Sequence, residues 1–285
     1  MKGLKLKSML NLCKRMVSIP VELYKNRILI ARLSYNDFKT RFSGSFFGMF
    51  WAFVQPVVTV LVFWFVFQYG FGAHRAQMAG GAEVPFVLFL VSGLVPWFFF
   101  AEALNGGTNA LISYSYLVKK VVFQISVLPV VKVSSALFVH VAFIGITLIL
   151  FLGMGYFSGW YALQLIYYSI GLFLLVLAMS YLTCGIVVFF RDLKEIINVI
   201  LTVGLWLTPI LWNLEAMIDE PVLLTIFYLN PVYYVISGYR NSLINQIGFW
   251  ERPLLSLYFW GFVILVGMMG LLTFKRLRGH FADVL

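Results

Sequence analysis

Long apolar runs separated by short polar or basic stretches set the organisation of this chain, and six of them have the length of membrane-spanning helices. They predict spans near 46–71, 84–103, 130–156, 163–190, 196–212 and 254–274. A further run, Val222 to Arg240, reads VLLTIFYLNPVYYVISGYR and is cut in its middle by Asn230-Pro231. Proline lacks a backbone donor and clashes with a continuing helix, so 222–240 is expected to re-enter the membrane and leave on the side it came from. Ahead of the first span, segment 1–45 reads as a tail followed by an amphipathic interfacial helix. Tyr24, Ile28, Ala31, Tyr35, Phe38 and Phe42 recur in steps of four and three, which makes one narrow apolar stripe. Lys25, Arg32 and Lys39, seven apart, flank it. Such a helix lies in the membrane surface with its cations at the phosphates; the same charges also fit a plain positive-inside flank.

Composition narrows the class. A chain of 285 residues that is 62% hydrophobic and 11% charged, with mean hydropathy +0.93, exceeds what a soluble core requires, which implies an all-α integral membrane protein. The net charge of +10 is dispersed between apolar runs, so it points to topology and anionic membrane lipids and not to nucleic acid. Met1 to Ser45 is interrupted too often by Lys and Arg to hold a signal-peptide core, and the first span is expected to be uncleaved. With two cysteines, Cys13 and Cys184, no disulfide framework is expected.

Charge counting decides the broken run. If 222–240 re-enters, six spans put both termini on one side, and eighteen of the twenty-one Lys and Arg fall there, leaving only Arg75, Arg240 and Arg252 opposite. The positive-inside rule therefore predicts cytoplasmic termini. Irregular backbone at membrane depth persists only against protein or a watery cavity. Tyr228, Tyr233, Tyr234 and Tyr239 beside the break suit a sugar passage or, equally, an interfacial aromatic belt. Gly93 and Pro96 predict a kink in the second span. Glu102 falls at that span's inner boundary, where lipid head groups or Lys119 and Lys120 would pair with it.

Catalytic chemistry is sparse. No GxxxxGK[ST] loop is present, so no ATP is expected on this chain in the usual cradle. His74, His140 and His280 fall outside, within and inside the membrane by this topology. The carboxylates are scattered apart from the turn Glu215, Asp219 and Glu220. No metal, cofactor or catalytic site is expected, and a membrane-embedded transferase is disfavoured because catalytic groups must converge.

The motifs in order resemble the permease subunit of type 2 ABC exporters, in the branch exporting lipid-linked polysaccharides and teichoic acids. The resemblance rests on Arg41-Phe42-x-x-Ser45-x-x-Gly48-x-x-Trp51 with Gln55-Pro56, on Gly93-Leu94-Val95-Pro96-Trp97-Phe98-Phe99 and on Leu117-Val118-Lys119-Lys120-Val121-Val122-Phe123. Arg191-Asp192-Leu193, Thr208-Pro209-Ile210-Leu211-Trp212, Asn230-Pro231 and Gly238-Tyr239-Arg240 complete it. One departure is Gln124, where the family commonly has proline. The last eight residues and the start of the last span look most like teichoic-acid permeases.

The resemblance implies a permease domain over 46–285, a homodimer, two separate nucleotide-binding subunits that carry ATP and Mg, and a polymer on an undecaprenyl-type lipid in the bacterial cytoplasmic membrane. It implies that Lys25, Arg32, Lys39 and Arg41 attract the lipid pyrophosphate. Arg191, Asp192, Leu193 and Glu195, with Lys119 and Lys120, would meet the ATPase. Asn230, Pro231, Tyr233, Tyr234, Tyr239, Arg240 and Trp97 would form the pore and its outer gate. Export of drugs or free lipids by the same architecture, and a passive anchoring role, are the competing readings.

Overall fold

A computed structural model describes residues 19–41, 47–77, 83–119 and 123–285. Phe42, Ser45, Phe46, Lys120 and everything before Ile19 lie outside them. Residues 19–25 are helical, turn at Asn26, and continue as α1 (Arg27–Arg41). α2 (Trp51–Phe65) extends through a π turn at Val66–Gly70, and the short strands β1 (Arg75–Gln77) and β2 (Glu83–Pro85) pair antiparallel beyond it. α3 (Phe86–Thr108) leads into the single turns α4 (Ala110–Ser113) and α5 (Ser115–Val118). α6 (Val127–Gly153), α7 (Gln164–Val187) and α8 (Leu193–Leu207) follow. The turn α9 (Leu214–Met217) precedes the broken pair α10 (Pro221–Tyr228) and α11 (Pro231–Arg240). α12 (Pro253–Leu277) ends the bundle, and α13 (Phe281–Val284) folds back under it.

Five helical stretches among the described residues are long and apolar enough to span: Gly48–Gly70, Phe86–Thr108, Val127–Gly153, Gly159–Val187 and Pro253–Val284. The α10–α11 region meets the same test only as a pair, bent by 92° at its break. Two segments differ from expectation. α3 runs through Pro96 as one continuous helix to Thr108, five residues past the expected end of the second span. That carries Glu102 from a helix end into the interior of the last turns. The stretch expected to span over 196–212 is instead a 15-residue helix, about 22 Å of rise. It stops at Thr208, which turns extended with ψ 133 because the residue before a proline is disfavoured in the α region.

α3 is the central element, packed by α6, α7 and α11, and its side chains Leu88, Leu90 and Leu94 are fully buried. α7 and α12 approach closely at Gly270, where an added Cβ would lie 2.7 Å from the Ala178 carbonyl oxygen. Small residues at such points let membrane helices pack backbone to backbone. A second apolar cluster gathers Ile19, Leu111, Leu128, Tyr181, Phe274 and Phe281. It joins the start of the described chain to its last helix at one end of the bundle.

Candidate functional site

The break between α10 and α11 is built by two residues. Asn230 caps α11, its side-chain oxygen accepting from the Val232 amide at 3.0 Å, and Pro231 occupies the first turn, where its missing donor costs nothing. The Asn230 amide also donates to Thr208 Oγ1 at 3.2 Å, which ties the break to the end of α8. From there α11 enters the packed interior. The Tyr234 hydroxyl meets Tyr167 and Ser256 at 3.2 and 2.8 Å, and the Tyr239 hydroxyl meets Ser169 and His140 at 2.6 and 2.9 Å. Arg240, only 5% exposed, donates to the carbonyls of Pro209 and Ile210 at 2.7 and 2.6 Å and lies over the Phe89 ring. Gly93 leaves room beneath it, since a Cβ there would sit 2.9 Å from the guanidinium and 3.2 Å from the Ile210 carbonyl oxygen.

Tyr233, Tyr234, Tyr239, Arg240 and Trp97, expected to line a pore, are thus all buried within this one chain. The Tyr234 and Tyr239 hydroxyls and two guanidinium nitrogens of Arg240 are engaged by protein. Trp97 packs its ring on Gly204 and beside Phe100, joining α3 to α8. The cavity among Tyr168, Tyr228, Tyr233 and Tyr234 measures about 20 Å³, room for one water and not for a sugar ring. A larger cavity of about 820 Å³ opens between α2, the β strands and the region after α8. Phe63, Phe67, Phe86, Trp206 and Trp212 line it, and its charged member Arg75 is 3.5 Å from Glu83.

Charged groups collect at the opposite end. Asp37, 6% exposed, accepts from Lys132 at 2.7 Å and from the Tyr114 hydroxyl at 2.6 Å, with Arg41 3.7 Å away. Burial opposes charge on Asp37, but the hydrogen bonds from Lys132 and Tyr114 and the adjacent ammonium outweigh it and hold the carboxyl below its ordinary 3.8. Burial and the same carboxylate push the Tyr114 hydroxyl well up. Arg41 also pairs with Glu102, so Glu102 meets the surface helix and not Lys119. Glu22 accepts from Ser126 at 2.8 Å and from Arg278 at 3.3 Å, and Asn26 is bonded to Gln124. The residue standing in place of the family proline therefore makes a contact that proline has no side-chain group to make.

Lys25, Arg32 and Lys39 stand exposed on α1 and the short helical segment before it, and Tyr24, Ile28 and Tyr35 are 60–70% exposed. The turn at Phe189, Phe190, Arg191 and Asp192 projects from the end of α7, with Glu195 exposed on the first turn of α8. Lys119 is exposed at the end of α5. Among the described residues, no group of three or more His, Cys, Asp or Glu side chains is arranged to hold a metal ion. Sequence reasoning passed over Glu22 and Asp37, counted Lys132 only toward topology, and gave His140 no partner. One signal was available: Glu22 and Asp37 are the only carboxylates among ten cations in the first 45 residues.

A bundle of apolar spans with a capped break inside and charged segments gathered at one end is the architecture of a multi-pass membrane transport subunit. Residues 29–244 match the family described as ABC-2 type transporter, and the chain belongs to that family of transport permeases. It is similar to the O-antigen export system permease protein RfbA of Myxococcus xanthus, with 30% identity over 225 residues, 79% of this chain and 84% of that protein. Two proteins of the same description from Klebsiella pneumoniae are 27% identical over 260 residues, 90% of this chain and 95% of theirs.

Proposed function

We propose that this chain is the transmembrane subunit of an ATP-driven exporter that carries a lipid-linked cell-surface polysaccharide of O-antigen type outward across the bacterial cytoplasmic membrane. The observation that carries this reading is the similarity to O-antigen export permeases over 90% of the chain. Two copies of the permease work with two separate nucleotide-binding subunits, on which ATP and Mg are bound. The exposed cations Lys25, Arg32 and Lys39 draw the lipid phosphate to the inner surface, since basic side chains concentrate anionic head groups there. Arg41, already paired with Glu102 and beside Asp37, serves less as a free cation.

The projecting turn with Phe189, Phe190, Arg191, Asp192 and Glu195 offers an apolar and charged surface for the ATPase subunit, alongside Lys119 and Lys120. α10 and α11 act as a re-entrant outer gate. This is supported by the partners of α11, which lie in the halves of α3, α7 and α12 remote from the charged end: Phe89, Tyr167, Ser169, Ser256 and Phe259. Their closed packing corresponds to a shut gate, which ATP-driven closure of the partner subunits shifts toward an open population. The aromatic cavity between α2 and α8 offers stacking faces to a glycan on its way out.

The test is reconstitution of the permease with its ATPase in vesicles loaded with lipid-linked polymer. Polymer should reach the far side only with both subunits and ATP. Turnover of the polymer by the permease alone would instead make it an enzyme, and ATP-driven export of a drug or free lipid, without polymer export and undiminished after deletion of residues 1–43, would favour that second substrate class.

A further inference from the structure

The first 45 residues carry ten cations and two carboxylates, and the structure separates them by role. Both acids turn toward the bundle. Glu22 meets Ser126 and Arg278, and Asp37, fifteen positions on, meets Lys132, Tyr114 and Arg41. Lys25, Arg32 and Lys39 are exposed, as are Tyr24 and Ile28, while Tyr35 is exposed with its ring edge against Phe138 of α6. A helix held only by a membrane surface is oriented loosely by its apolar stripe and is free to drift along the surface. A buried, directional ion pair narrows the rotation and stops the drift, because charge taken out of water must keep its partner.

Lys132 supplies that fixed point. It stands in the second turn of α6, the span that packs along α1, and its ammonium lies over the Tyr114 ring at 4.9 Å. We infer that Asp37 is a positioning residue for transport: its pair with Lys132 sets the height and rotation of the interfacial helix, so that Lys25, Arg32 and Lys39 are presented together to an anionic lipid head group. This rests on the proposed role of those cations.

Two readouts keep the parts distinct. The first is the distance between spin labels on Tyr35→Cys and Ile149→Cys, both exposed positions, in permease–ATPase vesicles without substrate. The distribution should be narrow in the parent, broad in Asp37→Asn and in Lys132→Asp, and narrow again in the exchange Asp37→Lys with Lys132→Asp. Narrow distributions in both single variants, or an exchange that stays broad, would overturn the inference.

The second is the KM for undecaprenyl-linked substrate in stimulated ATP hydrolysis. It should rise roughly tenfold in Asp37→Asn, as if the joint effect of the surface cations were lost, with hydrolysis in the absence of substrate unchanged, and it should recover in the exchange. An unchanged KM in Asp37→Asn despite a broadened distance would overturn the positioning role. If Lys25→Gln, Arg32→Gln and Lys39→Gln together leave KM at the parent value while Asp37→Asn raises it, the cation reading fails and presentation of those cations fails with it. The ion pair's control of helix position then still stands or falls on the distance readout.

Discussion

Arg240 shows what one buried cation does in a membrane bundle. Its fork answers two carbonyls that the extended backbone after Thr208 leaves without helical partners, and Phe89 covers its face. Arg240→Ala should lower stability by about 2–4 kcal/mol, because two buried acceptors lose their donors. Arg240→Lys should recover only part of this, since a point charge does not reproduce the fork. Thermal unfolding in detergent measures both, and Gly93→Ala should resemble the milder variant by pushing on the same guanidinium. Asp37 gives a pH prediction with a definite sign. Its carboxyl is held below 3.8 by Lys132 and Tyr114, with Arg41 nearby, so the stabilisation is present above the ordinary carboxylate value and lost as pH falls through the lower folded one. The α1 label distance should therefore stay constant from about pH 8 to about pH 5 and broaden only in stronger acid.

Among elements, the broken pair and the projecting turn carry the most testable consequences. α11 is bonded to its neighbours by Tyr234, Tyr239 and Arg240, whereas α10 has no buried residue, and its polar link is Tyr228 to Glu215 at 3.3 Å. Motion of the gate is accordingly expected in α10 about Leu229 and Asn230. Asn230→Ala removes both the α11 cap and the link to Thr208 and should cost about 1 kcal/mol, with slower polymer export at unchanged ATPase binding. Tyr233→Ala and Tyr234→Ala should impair export through loss of packing, visible as lowered stability. Unchanged stability with lost export would instead mean direct glycan contact. Charge reversal at Asp192 should weaken recovery of the ATPase subunit in co-purification or uncouple hydrolysis from export.

For the whole molecule, the contacts Glu22 to Arg278, Glu22 to Ser126 and Asp37 to Lys132 bring together segments 19–41, 123–132 and 278–285 at one end. Cysteines at Lys39 and Gly279 should react with an impermeant reagent from the cytoplasmic side only, and one at Asp219 from outside only. The last span, the broken run and the charge bias were readable from apolar length and the spacing of Lys and Arg, because insertion in a bilayer depends on those quantities summed over a segment. The length of the 196–212 element was less readable. Its hydropathy continues past Pro209, while the helix ends at Leu207, two residues before it, for a steric reason that hydropathy does not register.

The sequence by itself determined the class: an all-helical membrane bundle of about six spans, its break at Asn230-Pro231 and its family. These follow from local quantities, namely run length, helical period and proline chemistry. Only the tertiary structure decided which polar side chains face one another. Asp37 to Lys132 and Arg240 to Pro209 join residues far apart in the chain, and Tyr239 meets His140 across 99 positions. Burial in a low-dielectric bundle makes each such pairing costly to leave incomplete, yet no spacing along the chain encodes the partner. For the same reason the burial of Tyr233, Tyr234 and Tyr239 against neighbouring helices is not legible in the sequence. An aromatic ring has the same apolar signature whether a neighbouring helix or a passing sugar covers it, and only the arrangement of helices tells the two apart.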